Sequence, residues 1–199
     1  MVGGRQLQFD KETALEAAML VFWKKGFLGA SLSELTKVMG INKPSLYSTF
    51  GNKEELFVSA TEHYLTKYAA PHVSYLNEQE QTLSDRVKAY LFSIVTMLCS
   101  PSTPNGCFIS VASNDLAGET LPEKATESIT YASNYAESYL TDFFSKEKAK
   151  GNLNSDVDVS ELTMMVITLM HGLSAIARSG KSQQQLRSII DTFVTKLMG

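Results

Sequence analysis

Apolar residues recur along most of this chain at helical spacing, with polar residues filling the other faces. In Phe9–Lys25, Ala14, Leu15, Ala18, Val21 and Phe22 form one stripe, flanked by Lys11, Glu12, Glu16 and Lys24. Gly26 ends that helix. Leu32, Leu35, Val38 and Met39 then predict a short second helix, with Ser31 and Glu34 spaced as a capping box. Gly40 suits the positive φ of a helix C-terminal turn, and Ile41 fills the corner. Asn42 can cap a third helix, whose early Pro44 needs no N–H partner. Leu46 and Phe50 point inward there, leaving Lys43, Ser45, Tyr47, Ser48 and Thr49 outside. Residues 31–50 therefore read as two short helices joined by a tight turn.

Beyond the turn at Gly51, Asn52 can cap a helix from Lys53 to about Tyr68, with Glu54 and Glu55 suited to its positive end. His72–Thr82 is polar and reads as a connection. Thr82–Leu98 is again amphipathic, and the loop Ser100–Gly106 carries the densest turn signal in the chain. A short apolar helix follows over Cys107–Ala117, then a break at Gly118–Pro122. A long helix runs from Pro122 to about Ala149, with Tyr131, Tyr135, Tyr139 and Phe143 at four-residue steps. Asp156 or Asp158 caps Val159–Ser179, and Ser182 caps Gln183–Met198. The pattern predicts an all-α fold of about nine helices: an N-terminal three-helix domain over 1–52 and a helical bundle over 53–199.

Val159–Ser179 is apolar nearly all round, so it must be covered twice. Paired with the last helix, it predicts a twofold four-helix interface through Leu162, Met165, Leu169, Leu173, Ile176, Leu186, Ile190 and Phe193, making a homodimer. The alternative is a monomer core covered by the preceding helices. A membrane span is disfavoured by Ser160, Glu161, Thr163, Thr168, His171 and Ser174 within the run.

Charge sharpens this division. The net charge of the 199 residues is −3, yet residues 1–53 carry seven basic and four acidic side chains, a net of +3. The remainder carries eleven and seventeen, a net of −6. A basic head on an acidic body would turn the head toward a polyanion. Two cysteines, Cys99 and Cys107, and an opening without an apolar leader segment fit a cytoplasmic protein.

The outward face of the third helix is cationic, hydroxyl-rich and aromatic, with no carboxylate. A helix in the DNA major groove needs donors toward phosphates and short polar groups toward base edges. The candidates for DNA contact are Ser31, Asn42, Lys43, Pro44, Ser45, Tyr47, Ser48, Thr49 and Lys53. Lys43, Ser45 and Ser48 would meet base edges; Ser31, Tyr47 and Lys53 would meet phosphate. Lys53 stands at a helix N-terminus, an electrostatically awkward place unless an anion lies nearby. Residues 1–8 read as a flexible arm, either a disordered tail or one whose Arg5 touches phosphate or the minor groove.

The segment F-x-x-x-G-F-x-x-x-S-L-x-E-L-x-x-x-x-G-I-x-K-x-x-L-Y-x-x-F-x-N-K-E-E-L-F, from Phe22 to Phe57, resembles the N-terminal domain of the TetR family of bacterial transcriptional repressors. It runs without a gap; the rest of the chain matches only in length and helical layout. The resemblance implies a helix-turn-helix reader, a palindromic double-stranded DNA operator and pairing through the last two helices. It also implies a phosphate contact at Lys53 and release by a small-molecule effector bound in the body. Pro44 replaces the small residue often found there, and Ala30 replaces a common hydroxyl residue. An activator with the same head, or a helical enzyme or carrier that kept the motif as a packing unit, are the rival readings.

No catalytic constellation, cofactor motif or metal-ligand spacing appears, and His63, His72 and His171 are far apart in sequence. A ligand cavity in the body is predicted to draw on Tyr64, Phe92, Met97, Cys107, Phe108, Asn114, Tyr135, Met170 and His171, with Asn114 and His171 as polar anchors. Cys107 follows a turn at the start of a helix, where the dipole favours a thiolate. Some relatives sense electrophiles or oxidants through a cysteine after such a glycine. Cys107 reads either as a redox sensor of this kind or as a small buried hydrophobe.

Overall fold

A computed structural model describes residues 10–116, 118 and 121–198. The N-terminal arm with Arg5 lies outside the described residues. Among those described, nine α-helices and no strand are present: α1 (Lys11–Gly29), α2 (Leu32–Met39), α3 (Lys43–Phe50), α4 (Lys53–Tyr64), α5 (Leu83–Leu98), α6 (Phe108–Leu116), α7 (Glu123–Ala149), α8 (Val159–Arg178) and α9 (Gln183–Met198).

The starts of α3 and α8 follow the chemistry read from the sequence, while the cap of α1 is Asp10, a role the apolar pattern did not assign. Asp10 caps α1 through the N–H groups of Glu12 and Thr13, Asn42 caps α3 through Ser45, and Asp158 caps α8 through Ser160 and Glu161. At Ser31 only half of the expected capping box forms. Its hydroxyl accepts from Glu34 N–H, but the Glu34 carboxylate pairs with Lys25 of α1, 2.6 Å away. The reciprocal box appears instead at α4, where Asn52 and Glu55 each accept the other's backbone N–H.

Gly26 interrupts α1 at φ 72° and ψ 179°, a conformation open essentially to glycine alone. The break turns Phe27 inward beside Phe22 and Phe57, and α2 and α3 close over them through Leu35, Met39, Leu46 and Phe50. This core does not stop at residue 53. It continues through Leu56, Phe57, Ala60 and Tyr64 of α4 into Phe108, Ile109 and Val111 of α6 and Ala125 and Ile129 of α7. A second core joins α5, the C-terminal half of α7, α8 and α9 around Leu91, Phe144, Val166, Leu173, Leu186 and Ile190.

The expected continuous helix to Tyr68 ends earlier. After Tyr64 the backbone widens into a π-helical turn over Leu65–Ala69 and then tightens into a 3-10 helix over Ala70–Asn77. Pro71 supplies no N–H to continue the α pattern. The supposed polar connection after His72 is therefore partly ordered, and Leu76 buries completely in the second core.

Burial also changes the expected twofold face. Leu162, Leu173, Leu186 and Ile190 lie in the chain's own core, because α5 and α7 cover that side of α8 and α9. Met165 is exposed, and Leu169, Ile176 and Phe193 are half-buried. The face left open on α8 runs through Met164, Met165, Thr168, Gly172 and Ala175, with Ile189 exposed on α9. Val159–Arg178 is long and apolar enough to cross a membrane by composition. Here one side of it is packed in the second core.

Candidate nucleic-acid interface and ligand cavity

The head presents α3 on its surface. Leu46 and Phe50 anchor one side in the core, while Asn42, Lys43, Pro44, Tyr47 and Ser48 are exposed and Ser45 and Thr49 are half-exposed. No carboxylate lies on this helix. Two of its polar side chains are already engaged locally: Asn42 caps the helix, and the Ser48 hydroxyl donates to Ser45 C=O at 3.1 Å. Ser31 is likewise exposed but occupied by its capping bond. Lys53 is half-buried at the foot of α4, its Nζ 4.2 Å from the centre of the Phe27 ring. Burial lowers its pKa and the nearby Asp115 carboxylate opposes that shift. Lys53 therefore bridges the head core and the surface rather than standing free in solvent.

Among the described residues, three groups of long-range polar contacts tie this head to the body. The Trp23 indole N–H donates to Gly106 C=O at 3.0 Å, just before α6. Asp115, near the end of α6, accepts from Phe27 N–H at 2.8 Å and more weakly from Leu28 N–H at 3.4 Å, filling the gap left by the Gly26 break. Glu16 of α1 gathers His63 Nε2 at 2.5 Å, Lys67 at 3.0 Å and the Tyr68 hydroxyl. Burial raises the Glu16 pKa, but the bonds from Tyr68, Lys67 and His63 outweigh it and hold the carboxyl below its ordinary range. The Tyr68 phenol is pushed up to about 12 by burial and by this carboxylate. None of these pairs was visible in the sequence, since their members stand 47 to 88 residues apart.

Beneath the junction lies a cavity of about 190 Å³, walled by the end of α4, the π and 3-10 turns, α5, α6, α7 and α8. Of the predicted ligand residues, Tyr64, Met97, Cys107, Tyr135, Met170 and His171 line it. Phe92, Phe108 and Asn114 do not. Phe92 sits outside on α5 beneath Arg187, and Phe108 stacks on Tyr64 and Phe57 inside the core. Asn114 is exposed on the far side of α6. The lining residues missed by sequence reasoning include His72, Tyr90, Ser110 and Tyr139. A signal existed for Tyr90 in the stripe of the α5 helix, but which side of that stripe faced a void was not encoded locally.

The wall is mainly aromatic, aliphatic and sulfur-bearing. The Tyr64 hydroxyl and Cys107 thiol lie 3.2 Å apart, and burial raises the Tyr64 pKa strongly. Tyr90 is also pushed upward by burial and reaches Met170 sulfur at 3.8 Å. Cys107 N–H donates to the Ser174 hydroxyl at 2.8 Å, fixing the start of α6 to α8. At the opening His171 Nδ1 meets Ser110 at 2.9 Å. Among the described residues no group of three or more His, Cys, Asp and Glu stands close enough to hold a metal ion.

Comparison with known proteins adds an independent view. Residues 14–60 match the model of bacterial regulatory proteins of the tetR family. Over 191 residues the chain is 31% identical to the HTH-type transcriptional repressor ComR of Escherichia coli (strain K12), covering 95% of this chain and 89% of that protein. It is 29% identical to the HTH-type transcriptional repressor BdcR of the same organism, over 93% of this chain and 87% of that one. Among solved structures, a cysteine-substituted form of the TetR family transcriptional regulator CifR, complexed with 26-base-pair double-strand operator DNA, superposes with a TM-score of 0.85. That pair is 30% identical, with 96% of this chain and 98% of the other covered.

Proposed function

Because the chain belongs to the TetR family of bacterial regulatory proteins, we propose that it is an effector-responsive transcriptional repressor, binding a palindromic operator as a homodimer and working in the cytoplasm. The observation that carries the DNA-binding part is the exposed, carboxylate-free face of α3, held by a helix-turn-helix whose other faces are buried. Lys43, Ser45 and Ser48 meet base edges in this reading. Ser31, Tyr47 and Lys53 meet phosphates, with Asn42, Pro44 and Thr49 shaping the approach. The exposed Met164, Met165 and Ile189 on α8 and α9, continued by Leu169, Ile176 and Phe193, form the twofold contact. That contact places two reading helices one helical turn apart, about 34–36 Å, on one side of the duplex.

The cavity is the effector site in this reading. Its wall includes Tyr64 at the end of α4 with Leu65 and Ala69 of the π turn that continues it, and Cys107 just before α6 with Ile109 and Ser110 in its first turn. Both helices hold α1, α4 through His63 on Glu16 and α6 through Asp115 on Phe27 N–H, with Gly106 just before α6 accepting from Trp23. A molecule that fits only when α4 and α6 move apart binds the misaligned head better, and that difference in affinity is what releases DNA. Modification of Cys107 acts at the same place: a group added to its sulfur must displace the Tyr64 hydroxyl.

The experiment is a gel shift with full-length protein on the DNA flanking its gene, paired with sedimentation. Specific retardation at an inverted repeat by two protomers is expected. A monomer with equal affinity for random duplex would overturn the reading.

A further inference from the structure

The chemistry of the cavity wall restricts what can bind there. Among the described residues no lysine or arginine lines it, and the one carboxylate that does, Glu137, is exposed at the rim. An anionic ligand would lose its water without gaining a counter-ion, which is prohibitive in an apolar site. The volume is a second limit. Apolar cavities of about 150 Å³ accept benzene, so 190 Å³ suits one substituted ring. Tyr64, Tyr90, Tyr135 and Tyr139 supply aromatic faces and edges, and Met97 and Met170 supply polarisable sulfur, all of which favour an aromatic guest.

His72 supplies the third limit, through its hydrogen-bond accounting. Its Nδ1 lies 2.9 Å from the Ser93 hydroxyl oxygen. That hydroxyl has one proton, and it stands 2.7 Å from Tyr90 C=O, a group that can only accept. The Ser93 proton therefore goes to the carbonyl, and His72 Nδ1–H donates to Ser93. Burial lowers the His72 pKa, so the ring is neutral near pH 7. In a neutral ring protonated at Nδ1, Nε2 carries a lone pair. Its neighbour at 3.5 Å is Met97 sulfur, which has no proton to give. Among the described residues no donor faces that acceptor, Nε2 of His72.

We propose that the cavity takes a small neutral phenol, whose ring lies among the tyrosines and methionines and whose hydroxyl donates to His72 Nε2. This rests on the cavity being the effector site. Leaving the acceptor unpaired under an aromatic guest costs the desolvation of a polar group, so an ether of the same shape is discriminated against.

The test is calorimetry on the full-length protein with 4-methylphenol, 4-methylanisole and 4-methylbenzoate. The phenol should bind about tenfold more tightly than its methyl ether, and the benzoate should show no binding. His72→Phe should abolish the preference for phenol over ether, and His72→Gln, which keeps an acceptor, should retain much of it. Equal affinity for phenol and ether in the unaltered protein, tighter binding of the benzoate, or an undiminished preference in a folded His72→Phe variant would overturn the proposal. The same three compounds added to an operator complex separate the two readings. Phenol binding without DNA release keeps the ligand class and overturns the effector role. DNA release by the ether as readily as by the phenol does the reverse.

Discussion

Replacing Gly26 by alanine should destabilise this protein far more than the same change at Gly40, whose φ is also positive. At φ 72° and ψ 179° an L side chain costs about 1–3 kcal/mol of backbone strain. A Cβ built there would stand 2.5 Å from Asp115 Oδ2, well inside contact distance. The carboxylate is the end of a short side chain and could swing away, but it is the acceptor of Phe27 N–H at 2.8 Å. Losing a hydrogen bond to a charged group costs about 1.5–3 kcal/mol. Reduced freedom of the unfolded chain returns about 0.4–1 kcal/mol. The net loss is about 2–5 kcal/mol by these figures. Gly40 is the comparison: it has φ 65° and ψ 26°, with nothing within 4 Å of a built Cβ. There the left-handed strain of about 1–2 kcal/mol applies, offset by the same gain of about 0.4–1 kcal/mol from the unfolded chain. Urea denaturation at one fixed protomer concentration measures both, since stability and association are linked in a dimer. The decisive version repeats Gly26→Ala in an Asp115→Ala background. There the added methyl has no carboxylate to displace, and its cost should fall by about 1.5–3 kcal/mol. Strict additivity of the two changes, or equal losses for Gly26→Ala and Gly40→Ala, would refute the latch.

Lys53→Ala should weaken binding to every duplex and flatten the logarithmic salt dependence by about one unit, whereas Lys53→Arg should keep the slope; titrations at several salt concentrations decide it. Glu147 is nearly fully buried and holds Arg86, Lys150 at 2.8 Å and Asn152 at 2.7 Å. Burial raises its pKa, but those bonds outweigh it and bring it to about 2, from 4.5. Its contribution to stability is therefore complete above about pH 4.5 and lost as pH falls toward about 2. Glu147→Gln should cost about 3–5 kcal/mol at neutral pH by stranding Arg86, and should flatten stability across that acid window in denaturation curves. Met165→Asp, on the open face of α8, should halve the sedimenting mass while circular dichroism stays helical. Stoichiometric alkylation of Cys107 should lower operator affinity, because the adduct must part Tyr64 from α6; an unchanged gel shift would exclude a sensing role.

The sequence by itself determined the features whose causes are local. Asp10, Asn42, Asn52 and Asp158 start their helices because a short polar side chain needs only the next two or three backbone N–H groups. The carboxylate-free face of α3 follows from helical spacing alone, as does the inward set of Leu46 and Phe50. Tertiary structure decided everything that depends on which face meets which neighbour. Glu34 had two available partners, its own helix N-terminus and Lys25, and the packing of α2 on α1 gave it the lysine. Periodicity showed that α8 had apolar groups on every side, but not that Leu162 and Leu173 would turn into the chain's own core while Met165 stayed outside. The cavity is the clearest case. A void is defined by the absence of atoms between helices far apart in sequence, and the acceptor left on His72 arises from Ser93 and Tyr90 one helix away. No local pattern records such a coincidence, because each of those residues satisfies its own helix equally well on several faces.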